Sequence, residues 1–441
     1  MTTAHTRVSF TTLGCPKNEA DSDHMKALVR DAGYLIVDSP HEADVAVVNT
    51  CAFLTEASEE SIDTIFDILM DDTHLDGRPP KVVVTGCLPS RYGKDLEDEM
   101  GEVSAFLSCA DESSIVDVIS RLSGSLPKAC FTSRDPVRCD HGPSAYVKIS
   151  DGCDRYCSFC TIPFIRGRYA SRPASEIVAE TGILVGSGVR EVVLVGQDTG
   201  IWGRDLPDAP VLTDLLEQLT SSYPDTWFRV LYIQPEGITD RLLELMATTD
   251  NLCPYLDIPL QHVSSRILSE MNRSGSAGEF SQLVAHIRER VPDVRLRTTF
   301  ICGFPGETQE DFEELCDFVR EAGFDYAGVF PYSQEEGTVA GDRTDQVDPD
   351  ERIDRANELR RICDQTGFAK TARHVGEEAW VLFEGHEHTD SGQEAVGRTM
   401  GQAPEIDGGV HVPDADLTPG TIARVRLIDS FCYEYEGECI R

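Results

Sequence analysis

Cys153-Asp154-Arg155-Tyr156-Cys157-Ser158-Phe159-Cys160 places three thiols within one short run. It follows Ala145-Tyr-Val-Lys-Ile149, a β-rich stretch that reads as a strand, so the cysteines fall in the loop at its carboxyl end. Such a loop can wrap three thiolates around a single metal centre, as iron–sulfur clusters require. A four-iron cluster with three thiolates keeps one iron open, and an open coordination position is where chemistry takes place. A structural zinc site is the competing reading. It wants a fourth Cys or His at close spacing, and none follows.

Outward from this loop, residues 143 to about 370 alternate β-rich runs with helical stretches. Strands are predicted at Ala145–Ile149, Glu191–Val195, Arg229–Ile233, Tyr255–Ile258, Arg295–Phe300 and Tyr326–Phe330. Between them lie helices such as Ser175–Val185, with Ser175 as its N-cap, Thr213–Ser221 and Thr308–Ala322. Six βα units predict a complete or open barrel, whose functional residues collect at the carboxyl ends of the strands. Gln197, and Gln261 with His262, follow two of these strands; the alternative for Gln197 and His262 is a satisfied interior polar group. Thr299-Phe-Ile-Cys-Gly303-Phe-Pro305-Gly306-Glu307-Thr308 runs off a third into a helix, with glycines that let backbone approach a ligand closely. Asp348–Thr366 reads as a charged amphipathic helix leaving this domain.

The first 125 residues repeat the rhythm on a smaller scale. Val8–Thr12, Val45–Asn49 and Val82–Thr85 read as strands, with amphipathic stretches at Asp23–Ala32 and Glu60–Met70, which predicts a parallel sheet with crossover helices. Cys15, Cys51 and Cys87 each follow one of the three strands within a few residues. Strands of a parallel sheet end at one common edge, so these distant thiols are expected to converge there and hold a second cluster. The alternative is three unrelated buried cysteines in turns. A linker without periodicity, from about Leu126 to Gly142, separates the two regions. From about Arg373 onward, short β-rich pieces such as Ala379–Glu384 and Ile422–Ser430 alternate with Gly, Pro and Asp, predicting a small all-β barrel.

The bulk numbers set limits. A chain of 441 residues exceeds one ordinary core. No run approaches the roughly 18 apolar residues that span a bilayer, and Met1 to Arg7 has no apolar signal region, so a cytoplasmic protein without a membrane is expected. Fifteen cysteines, an odd number, without an export signal argue against a disulfide framework. The net charge of −38 repels phosphates and attracts basic partners, or reflects solubility alone. Cys109, Cys130, Cys139, Cys253, Cys302, Cys316, Cys363, Cys432 and Cys439 read as structural. Arg166, Arg168 and Arg172 form a local basic cluster, suited to a carboxylate, an RNA phosphate or a solvated loop.

Taken together, the two cysteine triads and the β module resemble the methylthiotransferase family of radical S-adenosylmethionine (SAM) enzymes over essentially the whole chain. The resemblance implies an α/β protein in three parts: an N-terminal domain at 5–125 with an auxiliary 4Fe–4S cluster on Cys15, Cys51 and Cys87; a radical SAM core at 139–370 with a 4Fe–4S cluster on Cys153, Cys157 and Cys160; and a TRAM barrel at 373–441. It places Gly303, Pro305, Gly306 and Glu307 beside the SAM adenosine, with Gln197 and Gln261 as further cofactor-binding positions. One bacterial branch of the family modifies transfer RNA; the other modifies an aspartate of small-subunit ribosomal protein twelve. Leu13-Gly-Cys-Pro-Lys-Asn18, Tyr255-Leu-Asp-Ile-Pro-Leu-Gln-His262 and Gly397-Arg-Thr-Met-Gly-Gln-Ala-Pro-Glu-Ile-Asp407 are similar to the second. The implied chemistry draws an electron from a reducing donor, splits SAM into methionine and a 5′-deoxyadenosyl radical, takes hydrogen from the aspartate β-carbon, inserts sulfur there and methylates it from a second SAM. Charge agrees independently: residues 373–441 carry fourteen Asp and Glu against five Arg, a net of −9, which suits a basic ribosomal protein or the assembled small subunit better than nucleic acid as the primary partner. The alternatives are a transfer RNA methylthiotransferase with the same cofactors and a non-catalytic cluster-bearing ribosome adaptor.

Overall fold

In a computed structural model, which describes residues 6–71, 74, 77–125, 142–389 and 392–440, the valine-rich runs of the N-terminal region form a parallel sheet. Cys130, Cys139 and all but the last residue of the expected linker lie outside the described residues. The chain divides into two compact units. The first comprises the described residues up to 125 together with 151–154 and 160–170; the second comprises 142–150, 155–159 and those from 171 onward.

The first unit runs β1 (Arg7–Thr12), α1 (Pro16–Asp31), β2 (Leu35–Val37), β3 (Val45–Thr50), α2 (Thr55–Met70), β4 (Lys81–Gly86), α3 (Cys87–Glu99), β5 (Ala105–Ser108) and α4 (Ile115–Ser123), with strand order β2-β1-β3-β4-β5. Alternation along β3 and β4 feeds two cores. Val45, Val47 and Val83 pack with Met25, Val29 and Ile119 on one face; Ala46, Val48, Val82 and Val84 pack with Ile65 and Leu88 on the other. The sequence reading did not include β2 and β5, which are three and four residues long. Nor did it extend α1 back to Pro16, where proline suits the first helical turn because no intrahelical partner awaits its missing N–H.

The second unit begins with β6 (Ser144–Lys148), α5 (Ala174–Gly186), β7 (Glu191–Val195), α6 (Leu212–Ser222), β8 (Trp227–Val230), α7 (Asp240–Thr248), β9 (Tyr255–Gln261), α8 (Ser265–Glu270), α9 (Ala277–Arg290), β10 (Arg295–Cys302), α10 (Gln309–Ala322) and β11 (Tyr326–Pro331). Its six strands form two parallel sheets, β6-β7-β8 and β9-β10-β11, bridged where Phe228 pairs Leu252 and the Ile233 N–H reaches the Asp257 carbonyl at 3.0 Å. This is the open form of the expected barrel. Ser175 is not an N-cap; it lies inside α5, which starts behind Pro173. The third strand ends at Val230, not Ile233, because Tyr232 turns to φ +62°. Thr308 caps α10 through its hydroxyl, with Asp311 completing the capping box. The long helix α11 (Pro349–Arg373) leads into a closed barrel of β12 (Glu378–Thr389), β13 (Gly392–Thr399), β14 (Val410–Pro413), β15 (Ile422–Phe431) and β16 (Glu434–Cys439), in the order β12-β13-β14-β16-β15.

This small barrel is anchored beneath the amino ends of the core strands. Glu191, the first residue of β7, is wholly buried between Arg229 of β8 at 2.8 Å and Arg398 of β13 at 2.5 Å. Burial alone would raise its carboxyl; the two guanidiniums hold it at about 2 instead. Asp407 accepts from the Tyr255 hydroxyl at 2.5 Å and pairs with Arg297 at 2.7 Å. Glu384 pairs with Arg398 at 2.6 Å. Two of the acids counted into the charge of the module are therefore tied into this anchor. No described helix is long and apolar enough to cross a membrane.

Candidate functional site

In the first unit, Cys15 precedes α1 directly, Cys51 follows β3 and Cys87 opens α3 directly after β4. The register pairs Thr12 with Asn49 and Thr50 with Gly86, so all three thiols stand at the carboxyl edge of adjacent strands. Gly14, at φ +103°, makes this possible: a Cβ there would lie 2.7 Å from the Cβ of Cys51. Asn18, wholly buried, ties the edge together. Its Nδ2 donates to the carbonyls of Leu13 at 2.8 Å and Thr50 at 3.0 Å, and its Oδ1 lies 3.9 Å from the Cys87 sulfur. Arg166 donates to that Oδ1 at 2.7 Å and pairs with Asp21 at 3.0 Å and Asp151 at 3.3 Å. Arg166 is thus a buried cation of this edge, bound to carboxylates; Arg168 is exposed beside Asp154, and Arg172 pairs with Glu180. Burial raises the Cys51 thiol, while the Arg166 charge draws both Cys51 and Cys87 down.

Sequence reasoning missed Cys109 here. Gly86 pairs with Ser108, so Cys109 follows β5 as Cys87 follows β4. Cys109 is the largest influence holding the Cys87 thiol below the usual thiol range. The signal was a strand followed at once by cysteine, as at Cys51 and Cys87, but the run Ala105-Phe-Leu-Ser lacks the β-branched residues that mark the others.

The middle cysteine loop is held backbone by backbone. In the first unit, Gly152 sits at φ +71°, where a Cβ would meet the Arg168 carbonyl at 2.2 Å, and the Cys153 N–H donates to the Gly167 carbonyl at 3.2 Å. In the second unit, the end of α8 grips residues 155–158. The Ser158 N–H donates to the Met271 carbonyl at 3.1 Å and its hydroxyl to the Glu270 carbonyl at 2.7 Å. Asn272 Nδ2 donates to the carbonyls of Arg155 at 3.1 Å and Tyr156 at 3.0 Å. Tyr156 turns to φ +49° and is half exposed; Phe159 packs against the core of the unit.

The Gly303–Glu307 segment is closed by its own acid. Glu307 Oε2 accepts from the Gly303 N–H at 2.8 Å and the Phe304 N–H at 3.3 Å, and Oε1 pairs with Arg355 at 2.8 Å. A Cβ on Gly303 would meet Arg352 at 2.4 Å, and Gly306 sits at φ +80°, so packing demands the first glycine and backbone conformation favours the second. Pro305 is buried between them. His262 is buried, its Nδ1 accepting from the Ser264 N–H at 3.0 Å and its Nε2 facing Glu307 at 3.5 Å. That geometry puts the ring proton on Nε2. Gln261, at φ +71°, and Gln197 are half-buried at strand ends.

Among the described residues, no three Cys, His, Asp or Glu side chains close on a point as ligands of a single ion do. A cluster sets different demands, since each thiolate binds a different iron. The six cysteines of the two triads are all free thiols, and those of the N-terminal edge lie in one another's electrostatic field. In its chemistry, this set of thiols fits iron–sulfur ligation. Replacing Gly14 by Ala is expected to cost roughly 1–3 kcal/mol through the forbidden φ and to drive Cys51 outward, and any iron this edge holds should fall with it. Iron analysis and thermal denaturation check both effects.

Residues 7–108 match a model described as an uncharacterized protein family, UPF0004; residues 147–319 match the radical SAM superfamily, and residues 375–440 a TRAM domain. The ribosomal protein uS12 methylthiotransferase RimO of Geobacter sulfurreducens is 41% identical over all of both chains. The chain belongs to the RimO family. RimO of Symbiobacterium thermophilum is likewise 41% identical, over 98% of this chain and 90% of its own. RimO-family membership and the radical SAM match make the protein a transferase that uses SAM and iron–sulfur chemistry. In fold alone it is similar to the radical SAM methyltransferase TsrM from Kitasatospora setae, with a TM-score of 0.55, 15% identity and coverage of 77% of this chain and 74% of that one.

Proposed function

We propose that this protein places a methylthio group on the β-carbon of an aspartate of small-subunit ribosomal protein uS12, using two 4Fe–4S clusters. The observation that carries the reading is the set of Cys15, Cys51 and Cys87 at the ends of three adjacent strands. A radical SAM core alone needs only the middle triad; a second three-thiol edge supplies a separate place for sulfur. Full-length likeness to proteins named as ribosomal protein uS12 methylthiotransferases supports the choice of substrate.

Cys153, Cys157 and Cys160 would hold one cluster and Cys15, Cys51 and Cys87 the other. Bound there with SAM, these groups supply the radical that opens an unactivated C–H bond, which acid–base side chains cannot do. The end of α8 fixes the loop of the first triad, and Glu307 holds the Gly303–Glu307 backbone in shape for the SAM adenosine. Gln261, at the end of the strand that pairs with β10, and Gln197, just past β7, would be further cofactor-binding side chains. Asn18 and Arg166 keep the N-terminal edge in register and place a positive charge beside its thiolates. The working parts are taken as 5–125, 139–370 and 373–441. A basic protein face and a reducing electron donor are the partners this reading requires.

The test uses reconstituted protein with SAM, a reductant and sulfide, offered uS12, small subunits or transfer RNA. Wild type is expected to add one methylthio group to uS12, seen by peptide mass spectrometry at aspartate. The Cys15/Cys51/Cys87 triple Ala variant should still release 5′-deoxyadenosine while making no thiolated product. Product on transfer RNA instead, or product at the wild-type rate from the triple variant, would overturn the proposal.

A further inference from the structure

Arg273 stands just past the end of α8, and its Nη1 lies 3.9 Å from the sulfur of Cys157. The guanidinium is fixed in place: Nη2 donates to Gln234 Oε1 at 2.5 Å and to the Pro259 carbonyl at 2.8 Å. Gln234 is itself buried. Among the described residues no carboxylate pairs with Arg273, so its charge is left uncancelled beside the sulfur. The contrast is Arg155, two residues before Cys157, which is neutralised by Asp198 at 2.6 Å and Glu236 at 3.3 Å. The protein thus discharges one arginine near this thiol and leaves the other charged. Three polar contacts would be an unusual outlay if the side chain served only to brace the loop, because Ser158 and Asn272 already do so.

We propose that Arg273 is a positioning residue whose fixed charge and N–H···S contact to Cys157 make the centre held by Cys153, Cys157 and Cys160 easier to reduce. The inference rests on the ligand assignment under Proposed function. Reduction adds one negative charge to the centre. A cation held at this distance favours the reduced state, and hydrogen bonds to ligating sulfur act in the same direction. Arg cannot lose its proton in the working pH range, so the effect does not vary with pH.

The experiment is an EPR-monitored redox titration of the reconstituted full-length protein, taking the signal that changes on adding SAM as the middle centre. Arg273→Gln, which removes the charge and keeps some donor capacity, is expected to shift the midpoint to more negative potential. Arg273→Lys, which keeps the charge, is expected to lie nearer wild type. The proposal is overturned if Arg273→Gln titrates with wild type, or if Gln and Lys shift it equally, because charge is then not the cause. It is also overturned if Arg273→Gln no longer holds this centre at all, since the residue is then a structural brace. If wild type itself carries no SAM-sensitive centre, the ligand assignment fails, and that failure is separate from any result on Arg273.

Discussion

Alanine at Cys153, Cys157 and Cys160 together is expected to abolish release of 5′-deoxyadenosine from SAM and to remove about half of the roughly eight irons that the proposal predicts for the reconstituted protein. The effect should be near-complete because, on the proposed reading, this centre both supplies the electron and seats the sulfonium, so its loss removes the two together. The fold should survive. The loop is held by backbone contacts of residues 152, 153 and 158 and by Asn272, none of which uses a cysteine side chain. Iron analysis, chromatography of the nucleoside product and circular dichroism measure the three consequences. Cleavage that persists in the triple variant would remove this loop from the chemistry.

Removing the carboxylate of Glu191 is expected to be the most damaging single change to stability. The group is wholly buried between Arg229 and Arg398. Glu191→Ala would leave two guanidiniums of like charge facing each other in the interior, and breaking a buried pair in this way costs about 3–5 kcal/mol. In a unit of this size that lowers Tm by roughly 2–4 °C per kcal/mol. Arg398 belongs to the C-terminal barrel, so its seat on the core loosens too, and proteolysis after α11 should become faster. Glu191→Gln, which keeps two hydrogen-bonding atoms, should lose less. The pH dependence follows the same pairing. The folded carboxyl titrates at about 2 against an ordinary 4.5, so its contribution is complete above 4.5 and is lost as the pH falls towards 2. An Ala variant with the wild-type Tm would show that the anchor carries no stability.

Much of the architecture was legible because strand-forming runs and cysteines sit next to each other in the chain. Val45–Asn49 before Cys51 and Val82–Thr85 before Cys87 announce strand, turn and thiol by composition alone, and parallel strands have to share an edge. Cys109 escaped because its strand has four residues without a β-branched side chain; only pairing to β4 makes it a strand. For Arg166 a carboxylate is one of the readings the sequence offers, but not which one: its partners Asn18 and Asp21 lie nearly 150 residues away. For Glu307 the sequence places the segment, but only the fold shows that its carboxylate turns back to its own loop and to Arg355.

By itself, then, the sequence determined the parallel sheet, the six core strands, the stand of Cys15, Cys51 and Cys87 at strand ends and that of Cys153, Cys157 and Cys160 in one loop. These follow from local periodicity and from spacings of a few residues, which the backbone converts directly into geometry. Only the tertiary structure decided which polar groups meet: Cys109 with Cys87, Arg166 with Asn18, Arg273 with Cys157, and Glu191 with Arg229 and Arg398. Such pairings join residues far apart in sequence, and composition does not specify them. They form because a buried charge or hydrogen-bonding group must find a partner in whatever the fold brings beside it.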